Sequence, residues 1–146
     1  METEKNIFFF RFEDLRIYNK ALDYVSWVYA NTELFPETHK LNLTTKFISA
    51  AQSIAINIAE GSGRNKTQFI YYLKMAKSSI RECIVYTTIA EKQNLLIDIS
   101  IEESRNVLIE MTKMIGALIA SLQRSEKPGE RTEDDYDVHP TIDPNM

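Results

Sequence analysis

The chain has 146 residues, of which 26% are charged, with four glycines, four prolines and one cysteine. This length suits one domain with a hydrophobic core of its own, and a lone cysteine excludes an internal disulfide. The net charge of −4 is uneven: residues 126–146 hold seven acidic and two basic side chains, a balance of −5, and residues 1–125 hold 14 and 15, a balance of +1.

The chain therefore divides into two parts. We predict a folded domain over residues 1–125, with a short N-terminal arm over residues 1–12. Residues 126–146 are predicted to be a disordered acidic tail, because they have too few apolar groups to offset the entropy cost of ordering. No apolar run reaches the roughly 18 residues of a membrane span, and the start lacks a signal-peptide pattern, so we expect a cytoplasmic protein without a membrane partner.

The first helical segment has two neighbouring apolar stripes, together wider than one core needs. The first stripe consists of Leu15, Tyr18, Leu22, Val25 and Tyr29, and the second of Ile17, Ala21, Tyr24 and Val28. We predict that the second stripe contacts another subunit, and assign Ile17, Tyr24 and Val28, with Trp27 beside them, to an oligomer interface. The alternative is a helix that lies centrally in its own bundle.

The second segment is predicted to be a helix over about residues 42–60, and it has no charged residue from Phe47 to Ala59. A helix without charges in so charged a chain is expected to be buried nearly all round. Gly61 and Gly63 are predicted to stop it and turn the chain. Its core face consists of Phe47, Ala50, Ala51, Ile54 and Ile58.

The third helix is predicted to begin at Asn65, a favourable N-cap followed by Gln68, and to continue to about Asn94. The fourth is predicted to begin at a capping box, Ser100 to Glu103. The inner face of the third comprises Phe69, Leu73, Ala76, Ile80, Ile84 and Thr87, and that of the fourth Ile101, Leu108, Met111, Ile115, Leu118, Ile119 and Leu122. Four such helices with short connections predict an all-α, antiparallel up-and-down four-helix bundle.

A basic segment follows the second helix. Residues 61–81 contain no acidic side chain and five cations: Arg64, Lys66, Lys74, Lys77 and Arg81. Lys74, Lys77 and Arg81 share one helical stripe, which suits contacts with the phosphates of RNA or DNA. The alternative is a solvated flank whose charges are balanced by acidic groups of a neighbouring helix.

Catalytic and metal sites have little support in the sequence, and we predict no enzyme and no cofactor. His39 and His139 lie outside the four predicted helices, and Cys83 follows the inner stripe of the third helix, as a core thiol would. Asn57 is predicted to fix the third helix against the second by a hydrogen bond, with Glu60 held by Arg64 or Arg81; a direct ligand role is the alternative.

The sequence resembles a family of small four-helix-bundle proteins encoded in intervening sequences of bacterial 23S rRNA genes. It is also similar to the accessory variability determinant of diversity-generating retroelements. The resemblance covers about residues 12–125 and is most specific at Asn57-Ile-Ala-Glu60-Gly61. Further matches are Phe12-Glu-Asp-Leu15, Ala21, Phe35-Pro36, Ala50-Ala51, Ser53-Ile54, Arg64, Phe69, Leu73, Ala76, Ser79 and Glu82.

This resemblance implies a ring-shaped homo-oligomer, most often a homopentamer, and a basic surface for nucleic acid; in the retroelement relatives that surface partners a reverse transcriptase. The chain departs from the family pattern where Ile48 and Ser49 replace an arginine pair, Ala55 replaces a proline and Ser78 replaces a glycine. The resulting hypothesis is a non-catalytic accessory or scaffold factor that binds RNA or DNA. The alternative is a protein-interaction scaffold that binds no nucleic acid.

Overall fold

The computed structural model describes residues 10–125, and within this range the protein is all-helical. Its long helices are α1 (Arg16–Thr32), α2 (Thr45–Ser62), α3 (Lys66–Lys92) and α4 (Asp98–Arg124). A 3-10 helix, Arg11–Asp14, precedes α1. The predicted acidic tail and most of the predicted N-terminal arm lie outside the described residues.

The four long helices pack in the order α1, α2, α3, α4, and α4 closes the bundle by contacting α1. Helices α1 and α4 run in opposite directions, since Lys20 pairs with Glu110 at 2.8 Å and Trp27 donates a hydrogen bond to Glu103 at 3.0 Å. No helix within residues 10–125 has both the length and the apolar composition needed to cross a membrane.

The core lies between the four helices and follows the predicted periodicity of α2 to α4. The predicted face of α2 is buried, and so are five of the positions predicted for α4. The expectation that α2 is buried nearly all round is wrong, because 63% of Ile56 is exposed. The outer side of this helix is therefore uncharged without being fully buried. The buried α4 positions are Ile101, Leu108, Met111, Ile115 and Ile119.

Two helix starts differ from the predicted ones. Helix α2 begins at Thr45 because a π-helical turn, Lys40–Thr44, precedes it, and the Thr45 hydroxyl donates to the Lys40 carbonyl at 2.7 Å. Helix α4 begins at Asp98 without a side-chain cap, so Ser100 lies in the first turn and forms no capping box. The Asp98 carboxylate in this turn is placed favourably for the helix dipole.

A chain of hydrogen-bonded hydroxyl groups crosses the core. The Thr87 hydroxyl donates to the Cys83 carbonyl at 2.8 Å, so the Ser104 hydroxyl, 2.8 Å from Thr87, has to donate to it. The Tyr24 hydroxyl, 2.8 Å from Ser104, is then the donor to Ser104. This chain joins α1, α4 and α3, and each of its buried hydroxyls has a partner.

Candidate nucleic-acid interface

The turn between α2 and α3 lies at one end of the bundle and is closed by local hydrogen bonds. Gly63 is the C-cap of α2, and the Arg64 amide donates to the Gly61 carbonyl at 3.0 Å. Asn65 is the N-cap of α3, as predicted, and its side chain accepts a hydrogen bond from the Gln68 amide at 2.9 Å. The turn is therefore short, and its hydrogen bonds fix the backbone positions of Arg64 and Lys66.

Arg64 is held between an acid and an aromatic ring. Its guanidinium donates to the Glu60 carboxylate, and it lies 5.4 Å from the centroid of the Tyr72 ring. The hydrogen bond with Glu60 raises the pKa of Arg64, and the charges of Tyr72 and Glu60 add to the effect. The predicted pairing of Glu60 with Arg64 is confirmed, so Glu60 balances part of the charge at this end of the basic segment.

Asn57 acts differently from its prediction. Its amide donates to the Ser53 carbonyl at 2.8 Å and to the Ser53 hydroxyl at 3.1 Å, both within α2. The contact that crosses to α3 is made by the Ser53 hydroxyl, which accepts from Ser79 at 2.9 Å. Asn57 therefore orients the serine that links the two helices, and does not bond to α3 itself.

Gly61 also differs from its prediction, because α2 continues through it to Ser62. Gly61 is buried and faces Tyr72 and Phe69 of α3. A Cβ atom at this position would lie 2.5 Å from the Tyr72 Cβ and 3.0 Å from the Phe69 Cδ1. Glycine is thus required here by the closeness of the two helices rather than by a turn.

The remaining cations lie along α3. Arg81 is exposed, and Lys66, Lys74 and Lys77 are half-buried. Lys74, Lys77 and Arg81 each also interact with other groups of the protein. We call the five residues together the basic face: Arg64, Lys66, Lys74, Lys77 and Arg81.

Exposed apolar side chains of α3 lie beside this basic face. Tyr71 and Met75 are each 43% exposed, and Val85 is 55% exposed. Their i, i+4 and i+14 spacing places them within one stripe of the helix, next to Lys74 and Arg81. The α3 surface therefore combines positive charge with apolar contact area. Met75 and Val85 were not predicted as part of this surface, although their positions opposite the inner stripe of the same helix indicate exposure.

The residues assigned to an oligomer interface lie inside the bundle instead. Ile17, Tyr24 and Val28 are at most 4% exposed, so their side chains have no surface for another subunit. This corrects the prediction, which reversed the two stripes of α1. Trp27 is half-buried and stacks on Tyr24, with ring centroids 5.7 Å apart.

The stripe that the prediction assigned to the core is the more exposed one. Leu22 is 39% and Tyr29 is 50% exposed, and Gln52 of α2 donates to the Tyr29 hydroxyl at 3.2 Å. Helical spacing places Leu22 and Ser26 on the same side of α1 as Tyr29, and Ser49 and Ile56 on the same side of α2 as Gln52. We call these six uncharged residues together the uncharged face: Leu22, Ser26, Tyr29, Ser49, Gln52 and Ile56.

Cys83 is a buried free thiol, as predicted. Burial raises the pKa of this thiol to about 12, and the charge of Glu82 adds to the shift. The thiol therefore stays protonated at neutral pH and is a poor nucleophile.

Comparison with known proteins identifies the family of the chain. No curated protein matches the sequence. The sequence model of the 23S rRNA-intervening sequence protein family matches residues 13–117, which include the whole of α1, α2 and α3 and most of α4. The chain therefore belongs to the 23S rRNA-intervening sequence protein family.

Proposed function

We propose that the protein is a non-catalytic scaffold that binds RNA or DNA through the basic face. One observation carries this proposal: the five cations lie along the turn before α3 and the first 16 residues of α3. No acidic residue lies between them in the sequence. Phosphate groups supply most of the affinity of such complexes, and Lys and Arg are their usual partners.

The neighbouring groups also suit a nucleic acid. Exposed Tyr71 contacts Tyr72 edge to face, with ring centroids 5.5 Å apart, at the end of the bundle where Arg64 lies. Aromatic rings beside cations allow unpaired bases to stack while phosphates are neutralised. This favours RNA loops or single strands over an undistorted duplex.

The first prediction concerns three cations of α3. Replacing Lys74, Lys77 and Arg81 by glutamine together is expected to weaken binding of a structured RNA at least about tenfold at low salt, because up to three phosphate contacts are lost. The slope of log K against log salt is expected to fall by roughly 0.7 to 0.9 for each contact removed. Fluorescence anisotropy at about 50 and 200 mM salt measures both quantities.

A matched control separates this site from a general loss of positive charge. Replacing Lys46, Arg105 and Lys113 by glutamine changes the net charge equally, and these three exposed cations lie on α2 and α4. We expect this variant to bind nearly as the parent does. Urea unfolding shows whether either triple variant has lost stability. Equal affinities of the two variants would contradict the assignment of the basic face.

We also propose that the protein self-associates through the uncharged face and forms a ring. The family resemblance implies that this ring has five subunits. Contiguous exposed apolar surface is typical of interfaces, and here it carries no charge that would oppose burial. The pairing of Tyr29 with Gln52 connects the two helices beneath it into one surface. The arrangement would present several copies of the basic face to one nucleic acid.

The second prediction tests this surface. Replacing Ile56 by glutamate is expected to yield single chains of 16.9 kDa, because a carboxylate would be buried without a partner. Light scattering after size-exclusion chromatography measures the mass. Ile99, 61% exposed on α4, supplies the control, since Ile99→Glu adds the same charge elsewhere. A parent protein that already elutes as one chain at micromolar concentration would refute self-association.

The competing proposal is a protein-interaction scaffold without nucleic-acid binding. The exposed apolar residues of α3 favour this alternative, since Met75 and Val85 would pack against a protein more readily than against phosphates. A reverse transcriptase, suggested by resemblance alone, is one such partner. Absence of RNA and DNA binding at about 50 mM salt would favour this alternative.

A further inference from the structure

The direction of the helices places the end of α4 beside the beginning of α3. Thr87, near the end of α3, contacts Ser104, near the start of α4, and the two helices are joined by a short connection. From these points, α3 extends back to Lys66 and α4 extends forward to Arg124, each over about 30 Å at 1.5 Å per residue. The chain therefore continues from the end of the bundle where Arg64 and Lys66 lie.

The charges of the continuing chain are opposite to those of this end of the bundle. Residues 126–146 carry seven carboxylates and two cations, and four of the carboxylates fall within Glu133–Asp137. The basic face has five cations; Arg64 pairs with Glu60, and Lys74, Lys77 and Arg81 also interact with other groups of the protein. The cations near the start of α1 are a poorer match, because Glu13 and Asp14 lie between Arg11 and Arg16 in the sequence.

The length of the continuing chain is sufficient. Glu133 to Asp137 begin eight residues after Ser125, a reach of up to about 26 Å in extended backbone. Lys74 to Arg81 lie about 12 to 22 Å along α3 from Lys66. The acidic cluster can therefore reach these three cations.

We propose that residues 126–146 dock on the basic face of their own chain and compete there with other polyanions. A tethered segment acts at a local concentration in the millimolar range, so weak individual charge pairs suffice. The docking follows from charge and geometry alone. Its effect on nucleic acid rests on the proposed function: an RNA has to displace the segment before its phosphates reach α3.

Paramagnetic relaxation enhancement in the full-length chain tests the docking without any nucleic acid. A nitroxide is attached at Thr132→Cys, and Cys83 remains unlabelled because it is buried and its thiol pKa is raised to about 12. We expect the amide signals around Lys74, Lys77 and Arg81 to broaden, and those of the outer side of α2 to stay sharp. The pattern should disappear at about 0.5 M salt, where the Debye length is only a few ångströms.

Two further samples test whether the acidic residues of the same chain cause the broadening. In the first, Glu133→Gln, Asp134→Asn, Asp135→Asn and Asp137→Asn are combined, and the broadening is expected to vanish. In the second, isotope-labelled chains without nitroxide are mixed with unlabelled chains that carry it, and little broadening is expected. Broadening spread evenly over all helices, confined to α1, or strong only in the mixed sample would overturn docking within one chain.

The affinity for RNA then tests whether residues 126–146 compete with RNA for the basic face. At about 50 mM salt, the chain with four neutralised tail residues is expected to bind a structured RNA roughly tenfold more tightly than the parent, and the difference should close as salt rises. A control with Asp23→Asn, Glu33→Gln, Glu91→Gln and Glu102→Gln changes the net charge equally on exposed sites of the bundle. An equal increase in RNA affinity in both variants would contradict competition between residues 126–146 and RNA.

The two measurements separate the two proposals. Specific broadening in a chain that binds no RNA would support docking and contradict the proposed function. RNA binding by a chain without specific broadening, and with equal affinities for parent and neutralised tail, would contradict docking and support the proposed function.

Discussion

Replacing Gly61 by alanine is expected to lower the free energy of unfolding by about 2 kcal/mol. The new methyl group would lie 2.5 Å from the Tyr72 Cβ, an atom fixed to the backbone of α3, so the helices would have to separate. Alanine is favoured over glycine within a helix by roughly 0.5 to 1 kcal/mol, which offsets only part of this cost.

Urea unfolding followed by the fluorescence of Trp27 measures the effect, since this is the only tryptophan of the chain. Gly116 is a matched control because it lies within α4, where an added Cβ would meet nothing within 4 Å. Gly116→Ala is therefore expected to raise stability by roughly 0.5 to 1 kcal/mol. If both substitutions stabilise the protein, the close approach of α2 and α3 is not a constraint.

Replacing Ser104 by alanine is expected to cost about 2 kcal/mol, although the change removes only one oxygen atom. The buried Tyr24 hydroxyl would lose its acceptor, and the Thr87 hydroxyl would lose its donor. Desolvation of unpaired polar groups, rather than loss of volume, dominates this cost. Replacing Tyr24 by phenylalanine alone is expected to cost only about 1 kcal/mol, because Ser104 keeps its bond to Thr87.

The double variant distinguishes a hydrogen-bonded chain from simple packing. With both Tyr24→Phe and Ser104→Ala, no unpaired tyrosine hydroxyl remains, so the loss is expected to be smaller than the sum of the single losses by about 1 kcal/mol. Urea unfolding of the four proteins gives this coupling energy. Strict additivity would mean that the hydroxyl groups contribute independently.

The helices themselves were largely predictable from hydrophobic periodicity. The face of α2 with Phe47, Ile54 and Ile58 is buried as its spacing indicates, and the N-cap at Asn65 forms as its chemistry indicates. Helix starts were less predictable where no side-chain cap exists. Nothing in the local sequence distinguishes the π-helical turn Lys40–Thr44 from an ordinary first turn of α2.

The choice between the two stripes of α1 was not available from spacing, since both have helical periodicity. The deciding contact is between Tyr24 and Ser104, which are 80 residues apart, and it makes an otherwise costly buried hydroxyl favourable. Gly61 posed a similar problem. A glycine near the end of a helix usually indicates a stop, and only the approach of Tyr72 reveals a packing role.

The joint between α2 and α3 also has a kinetic consequence. With Gly61 against Tyr72, Ser53 bonded to Ser79 and only three residues between the two helices, α3 has no hinge at this end. Its cations are carried on a surface that is already in place before any partner arrives. Binding of the proposed RNA to these cations is therefore expected to order side chains and not the backbone of α3. Its rate should depend on diffusion, ionic strength and displacement of the docked segment rather than on refolding of the helix.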